Sequence, residues 1–279
     1  MGILNLSPDS FAEARPLDQH QAVDVALRME EQGADIIDIG GESTRPGADP
    51  VTAAEEWARL APVLDEVVAR VKVPVSVDTY KGAVASLALG AGVSLVNDVS
   101  GLRHDPTMAT VVAEAKGALV LMHSRGRSKT MYAESDYGDV LNDVASELRT
   151  GVSAALAGGL SLEQLIVDPG IGFAKRSPHS YVVLAGVSAL AAMLERPVLV
   201  GPSRKSFMGE ALRDRRPSER DWGTAAAVTA AVLGGAHIVR VHAVREMVDV
   251  VRVAEAIRRA ALSQADRPPF DRGASRDLG

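Results

Sequence analysis

Short apolar runs alternate with longer helix-period segments along almost the whole chain. The runs fall at residues 2–5, 35–39, 73–77, 94–97, 118–122, 165–167, 197–200 and 237–241. Their hydrophobicity is continuous rather than alternating, which suits parallel strands covered on both faces. Helical periodicity occupies residues 18–32, 52–71, 81–89, 105–115, 141–157, 180–194, 221–233 and 245–261. Thr52-Ala53-Ala54-Glu55 and Ser161-Leu162-Glu163-Gln164 have the form of capping boxes, and Asp105-Pro106 places proline at a first helical position. Gly33, Gly90 and Gly234 follow helical runs, where left-handed caps are expected. Eight strands alternating with eight helices predict a single-domain α/β fold, a (β/α)8 TIM barrel over residues 1–263. An open doubly wound sheet is the competing topology. Polar or glycine-rich turns begin where nearly every strand stops, and this favours closure. Residues 264–279, with Pro268, Pro269 and many charges but no period, read as a flexible tail.

Composition narrows the class. Aromatic residues make up only 4% of the chain, so the core must be built of Val, Leu, Ile and Ala, as branched barrel layers require. Cysteine is absent, which excludes disulfides and thiolate chemistry and agrees with a cytoplasmic location. No apolar stretch approaches the roughly 18 residues of a membrane span. The amino terminus has no basic segment ahead of an apolar one, so no export signal is expected. A net charge of −6 argues against general nucleic-acid binding.

The chemistry collects at the ends of the strands. Asp38, Asp78, Asn97, His123 and Asp168 end five of them, and Arg240 and His242 form an i, i+2 pair at the end of the eighth. Ser203 and Lys205 form a similar pair after the seventh, with Arg204 opposite if the chain stays extended there. Closure would bring these positions into one mouth. Asp78, Asn97 and Asp168 suit a flat heterocycle with hydrogen-bond donors. Ser43, Thr44, Arg45, Arg240 and His242 suit phosphate oxygens, which a guanidinium grips through two parallel bonds. Lys205 could serve either set. A single strand-end Asp is ordinarily a helix cap, and Asp98 is read as a cap or surface residue. Residues 170–175 superficially resemble a dinucleotide loop but lack its third glycine, and read as the turn after the sixth strand. HExxH, Walker A and GxSxG patterns are all absent.

Taken together, the motifs resemble those of the dihydropteroate synthases. Residues 1–11 (MGILNLSPDSF) are similar to the family's first strand and first loop, and residues 40–47 (GGESTRPG) to its second loop. Ser76-Val77-Asp78-Thr79, Val96-Asn97-Asp98, residues 168–173 (DPGIGF), residues 203–207 (SRKSF) and Arg240-Val241-His242 follow in the family's order. The resemblance implies a transferase of folate biosynthesis and a sulfonamide target. The reaction it implies condenses 6-hydroxymethyl-7,8-dihydropterin diphosphate with 4-aminobenzoate, releasing pyrophosphate by dissociative displacement. By the same resemblance, Asp78, Asn97, Asp168 and Lys205 would hold the pterin beside Met122. Thr44, Arg45, Arg240 and His242 would hold the diphosphate, and Asn5 would help bind Mg2+. Phe173, Lys205, Ser206 and Pro46 would border aminobenzoate. Arg45, Lys205, Arg240 and His242 are thus the expected catalytic set. Family members are often dimers, so a homodimer is the implied assembly; neither nucleic acid nor membrane is an expected partner.

The resemblance has two departures. Phe11 is followed by Ala12-Glu13-Ala14-Arg15-Pro16 where the family usually has an Asp-Gly-Gly turn, and Ala243 stands where Asp often follows the histidine. Loss of two glycines should stiffen the first loop. Two alternatives remain open on the sequence: a non-catalytic pterin-binding paralogue, and a pterin-dependent methyltransferase on the same barrel.

Overall fold

The computed structural model describes residues 1–7, 17–43, 47–126 and 131–265. These form eight strands: β1 (Gly2–Asn5), β2 (Ile37–Gly40), β3 (Val75–Asp78), β4 (Leu95–Asp98), β5 (Ala118–Met122), β6 (Leu165–Asp168), β7 (Leu199–Val200) and β8 (Ile238–Val239). The helices are α1 (Gln19–Glu31), α2 (Ala53–Arg70), α3 (Gly82–Gly90), α4 (Met108–Glu114), α5 (Val140–Ala157), α6 (Ser177–Ala185), α7 (Val187–Leu194), α8 (Asp221–Leu233) and α9 (Val244–Ala265). Strands β1 to β6 run parallel in sequence order, and β7 pairs with β8. Two parallel bridges join these sheets, Val167 to Val198 and Gly2 to Val241. The backbone bonds Val167 N to Pro197 O (2.9 Å) and Ile3 N to Val241 O (3.0 Å) seal the same two seams. The sheet therefore closes, and the fold is the TIM barrel.

Strand parity sorts the core into two layers. Outward-facing Ile37, Ile39, Val77, Val96, Leu119 and Leu121 pack against the helices with Leu60, Leu64 and Val84. Each such buried aliphatic side chain contributes about 1.5–3 kcal/mol. The inward rows begin with an apolar plug of Met1, Leu95, Val120 and Leu199. Two residues further along the same faces come Asp38, Asn97 and Met122, so polarity rises toward the carboxyl ends of the strands. That is the end at which barrel enzymes carry their sites.

Several local details differ from the sequence reading. The span 180–194 is not one helix: Gly186 separates α6 from α7, which meet at a 65° bend. This bent pair matches a membrane span in length and composition, yet Val183, Leu184, Val187 and Leu190 are buried in the core. No single described helix is long and apolar enough to cross a membrane. Asp105 does not start α4, which begins at Met108; its carboxylate instead accepts from the backbone of Gly82 at 2.7 Å, at the start of α3. Gly33 is left-handed as expected (φ 96°), but at the other two ends the left-handed residue comes later, at Gly92 and Gly235. Helix α3 runs one residue past its apolar pattern, to Gly90, whereas α8 ends at Leu233 as expected and Gly234 caps it in a right-handed conformation. The capping box of Thr52 with Glu55 is present, and that of Ser161 with Gln164 caps a single 3-10 turn. Helix α9 reaches Ala265, past the expected boundary at 263. The tail beyond it, and residues 12–16 of the first loop, lie outside the described residues.

Candidate active site

A cavity of about 370 Å³ opens at the carboxyl ends of the strands. Asn5, Asp78, Phe173, Lys205, Ser206, Arg240 and His242 line it, so residues from β1, β3 and the turns after β6, β7 and β8 converge on one space. Asn97, Met122 and Asp168 are not in its lining and are almost wholly buried behind it. Thr44, Arg45 and Pro46 lie outside the described residues; the flanking Glu42 and Ser43 line the cavity wall.

Arg240 organises the floor. Its Nε donates to Asp38 Oδ2 at 2.6 Å and its Nη2 to Asp78 Oδ2 at 2.7 Å. Asn97 Nδ2 also donates to Asp38 Oδ2, at 3.1 Å. The sequence divides the rim into an acidic set and a cationic set, whereas the structure joins the two through this guanidinium. Asp38, fully buried, is the residue the sequence left without a role. Its signal was parity: it is one inward position below Gly40, whose missing side chain leaves room above the pair. Burial drives Asp78 upward to about 7, while the facing Arg240 pulls it down. Burial also pulls Arg240 down, but Asp38 and Asp78 outweigh it and hold the guanidinium above its ordinary range.

The floor is rich in acceptors. Among the described residues, Asp38 Oδ1, Asp78 Oδ1 and Asn97 Oδ1 are buried without a hydrogen-bond partner. An unpaired buried acceptor is worth about 1–3 kcal/mol to whatever donor satisfies it. Three in one neighbourhood call for a ligand carrying several N–H groups.

The far wall is built by the turn after β6. Asp168 accepts the backbone N–H of Gly170 at 2.7 Å, and burial raises its pKa against the pull of Lys205. Lys205 lies 4.3 Å from the centre of the Phe173 ring and donates to the carbonyl of Ile171. Burial lowers its ammonium to about 8, with Asp168 pulling the other way. The pairing of Ser203 and Lys205 on one face does not arise from a strand, because β7 ends at Val200 and Arg204 is left-handed (φ 58°). Arg204 lines the cavity as well, gripped by both carboxylate oxygens of Asp221 at 2.7 and 2.8 Å. Ser203 Oγ lies 2.9 Å from His242 Nδ1 and fixes that ring. Asp98 is a turn cap, accepting from Ser100 N (2.8 Å) and Leu102 N (2.7 Å), but a buried one. His123, which follows β5 directly, points away from the cavity toward Glu147 and Lys175.

The model of the family described as "pterin binding enzyme" matches residues 1–242. This chain belongs to the pterin binding enzyme family. Relatives within it include the dihydropteroate synthase of Synechocystis sp., 43% identical over 258 residues, covering 92% of this chain and 89% of that one. The dihydropteroate synthase of Bacillus subtilis is also 43% identical over 258 residues, covering 92% and 87%. Among solved structures, the Yersinia pestis dihydropteroate synthase with a sulfonamide drug aligns at a TM-score of 0.88 and 39% identity, over 92% of this chain and 93% of that one. A Xanthomonas albilineans dihydropteroate synthase with 4-aminobenzoic acid aligns at 0.85 and 39%, over 92% and 91%. As a pterin binding enzyme of the dihydropteroate synthase type, the chain is a transferase of folate synthesis.

Proposed function

We propose that this enzyme joins 6-hydroxymethyl-7,8-dihydropterin diphosphate to 4-aminobenzoate, giving 7,8-dihydropteroate and pyrophosphate, in the cytoplasm and as a homodimer. The observation that carries the reading is the convergence of unpaired acceptors with Lys205, Arg240 and His242 in and behind a single cavity. A pterin ring presents adjacent N–H donors along one edge. Asp78, Asn97 and Asp168 accept them, with Met122 packed beneath. The diphosphate meets Arg240 and His242, with Thr44 and Arg45 completing its site from the second loop. Aminobenzoate lies between Phe173, Lys205 and Ser206, under Pro46. The 4-aminobenzoic acid of the Xanthomonas albilineans structure supports that half, and the Yersinia pestis complex supports sulfonamides as competitors there.

In the proposed reaction the bond between the pterin methylene carbon and the diphosphate oxygen breaks, and its electron pair leaves with pyrophosphate. Arg240, His242 and Arg45 stabilise that growing negative charge, each worth about 2–4 kcal/mol by analogy with oxyanion donors. Asp78 and Asp168 favour the positive charge left on the pterin. The arylamine lone pair then forms the new carbon–nitrogen bond, and the nitrogen releases a proton. No strong base is required, which is why no nucleophile–base pair is assigned. Asn5 fits a Mg2+ that a diphosphate brings with it. Its side chain lines the cavity, its Oδ1 accepts one N–H from Ser7 (2.9 Å) and keeps a second lone pair, and Mg2+ commonly takes few protein ligands beside phosphate and water. Bound there, the ion would act as a Lewis acid on the leaving pyrophosphate.

The deciding experiment incubates the protein with pterin diphosphate, aminobenzoate and Mg2+ and follows pyrophosphate and pteroate together. Stoichiometric formation of both is expected. Tight pterin binding without pyrophosphate release would leave the non-catalytic paralogue as the better reading. Light scattering tests the homodimer, for which the exposed Val253 and Ile257, one turn apart on α9, are the supporting feature.

A further inference from the structure

The turn after β6 is held by an unusual arrangement of donors. Five successive carbonyls, from Gly170 to Ala174, each accept a hydrogen bond from a side chain. Lys175 Nζ donates to Gly170 O (3.2 Å) and Phe173 O (3.1 Å). Lys205 Nζ donates to Ile171 O, Tyr132 Oη to Gly172 O (3.3 Å) and Tyr137 Oη to Ala174 O (3.0 Å). Free carbonyls in a surface turn ordinarily find water, so a complete set of protein donors marks a backbone fixed in one conformation. Gly170 and Gly172 are left-handed (φ 67° and 77°), and Gly170 packs so closely that an added Cβ would lie 1.9 Å from His123 O.

Lys175 is the hub. Its side chain is only 1% exposed, does not line the cavity and takes no part in the mechanism above. Its third polar contact is with His123 Nδ1 at 2.7 Å, and the other nitrogen of that ring faces Glu147 at 3.2 Å. Glu147 on α5 is itself gripped by Arg103 (2.7 Å) and by Arg125 Nε (2.8 Å). Arg125 in turn stacks on the Tyr137 ring, 4.1 Å from its centre. With both carbonyl bonds and the histidine contact made, every polar valence of Nζ is used, whether it donates to Nδ1 as an ammonium or accepts from an Nδ1–H as an amine. Burying an amine this deeply is expensive, and burial does push Lys175 well below its ordinary range. A methionine would fill the same volume without that cost, so stability alone does not account for a lysine here.

We propose that Lys175 is a positioning residue for the amine-accepting half of the site. By clamping the carbonyls of Gly170 and Phe173 it sets the Phe173 ring and aims the carbonyl of Ile171 that holds the Lys205 ammonium. The inference rests on the reaction proposed above and adds a residue to it. Lys175 reaches neither substrate. Its effect passes through backbone to Phe173 and Lys205, so it falls on aminobenzoate rather than on the diphosphate, which Arg240 and His242 meet from the end of β8.

Steady-state kinetics of the full-length wild type and of Lys175→Met, varying each substrate in turn, test this. Misplacement of the wall should raise the KM for aminobenzoate about ten-fold and lower kcat, while the KM for pterin diphosphate moves less than about three-fold. Tyr137→Phe removes one hydroxyl from the same cradle and should give the same pattern at roughly a third of the size. It also serves as the deciding variant should Lys175→Met fail to fold. Hydrogen exchange at the Phe173 amide, which bonds to Gly170 O at 3.0 Å, gives a readout without turnover and should quicken in both variants. Equal rises in both KM values, or unchanged kinetics and exchange in Tyr137→Phe and a folded Lys175→Met, would overturn the proposal. A wild type that forms no pteroate would instead count against the reaction, leaving the exchange data to judge Lys175 by themselves.

Discussion

At the scale of single residues, the site is a set of ionisable groups moved off their ordinary values by burial. Asp78 is raised to about 7, so its carboxylate form is present above that pH and lost below it. Lys205 is lowered to about 8, so its ammonium is present below that pH and lost as pH rises through it. Both charges coexist in a narrow window between them. The kcat/KM for pterin diphosphate is therefore expected to trace a bell, with limbs near 7 and 8. Arginine keeps its proton throughout this range. Lys205→Arg, though slower, should lose the alkaline limb, and a limb that stays near 8 in that variant would assign it to another group. Asp78 was legible in the sequence because it ends a strand, and Lys205 because it stands in a specific motif after one. Asp38 was legible only as a strand end, since its role depends on Arg240 reaching across the barrel. Lys175 was not legible at all: nothing in the run from Gly170 to Lys175 reveals that the lysine folds back on its own turn.

The elements explain why some boundaries could be read and others could not. Apolar runs located all eight strands because a parallel strand in a barrel is buried on both faces. Helix periodicity located the helical regions, but it carries no information on a break between two equally apolar segments. Gly186 accordingly went unnoticed within 180–194. The same limit applies to Ser203 and Lys205. Their shared orientation was inferred from strand alternation, and a left-handed Arg204 supplies it by another route. The turn after β6 makes the sharpest prediction at this level. A methyl group at Gly170 would meet the carbonyl oxygen of His123 in a conformation that L-residues rarely adopt. Gly170→Ala should destabilise the protein by more than about 3 kcal/mol in denaturant unfolding. Gly47, also left-handed but with nothing near its added Cβ, should tolerate alanine at about 1 kcal/mol.

For the molecule as a whole, closure is uneven. Six strands share a continuous ladder, whereas β7 and β8 are two residues each and join the ring through single bridges. Stability should follow that difference, with the lowest opening free energy at the seams. Native-state hydrogen exchange is expected to be faster at Val167, Ile3 and Val241 than at Ile39, Val77 and Leu121. Uniform protection around the ring would contradict this. The weaker side of the barrel also carries the arginine of the site. From β8, Arg240 spans the bore to hold β2 and β3 through Asp38 and Asp78. It is a crossbeam as well as a receptor. In the proposed reaction a phosphate arriving there would displace counter-ions that are also tie-rods, which would make occupancy and the tautness of the ring reciprocal quantities. In that reading the protein's own carboxylates hold the place of the substrate's anion.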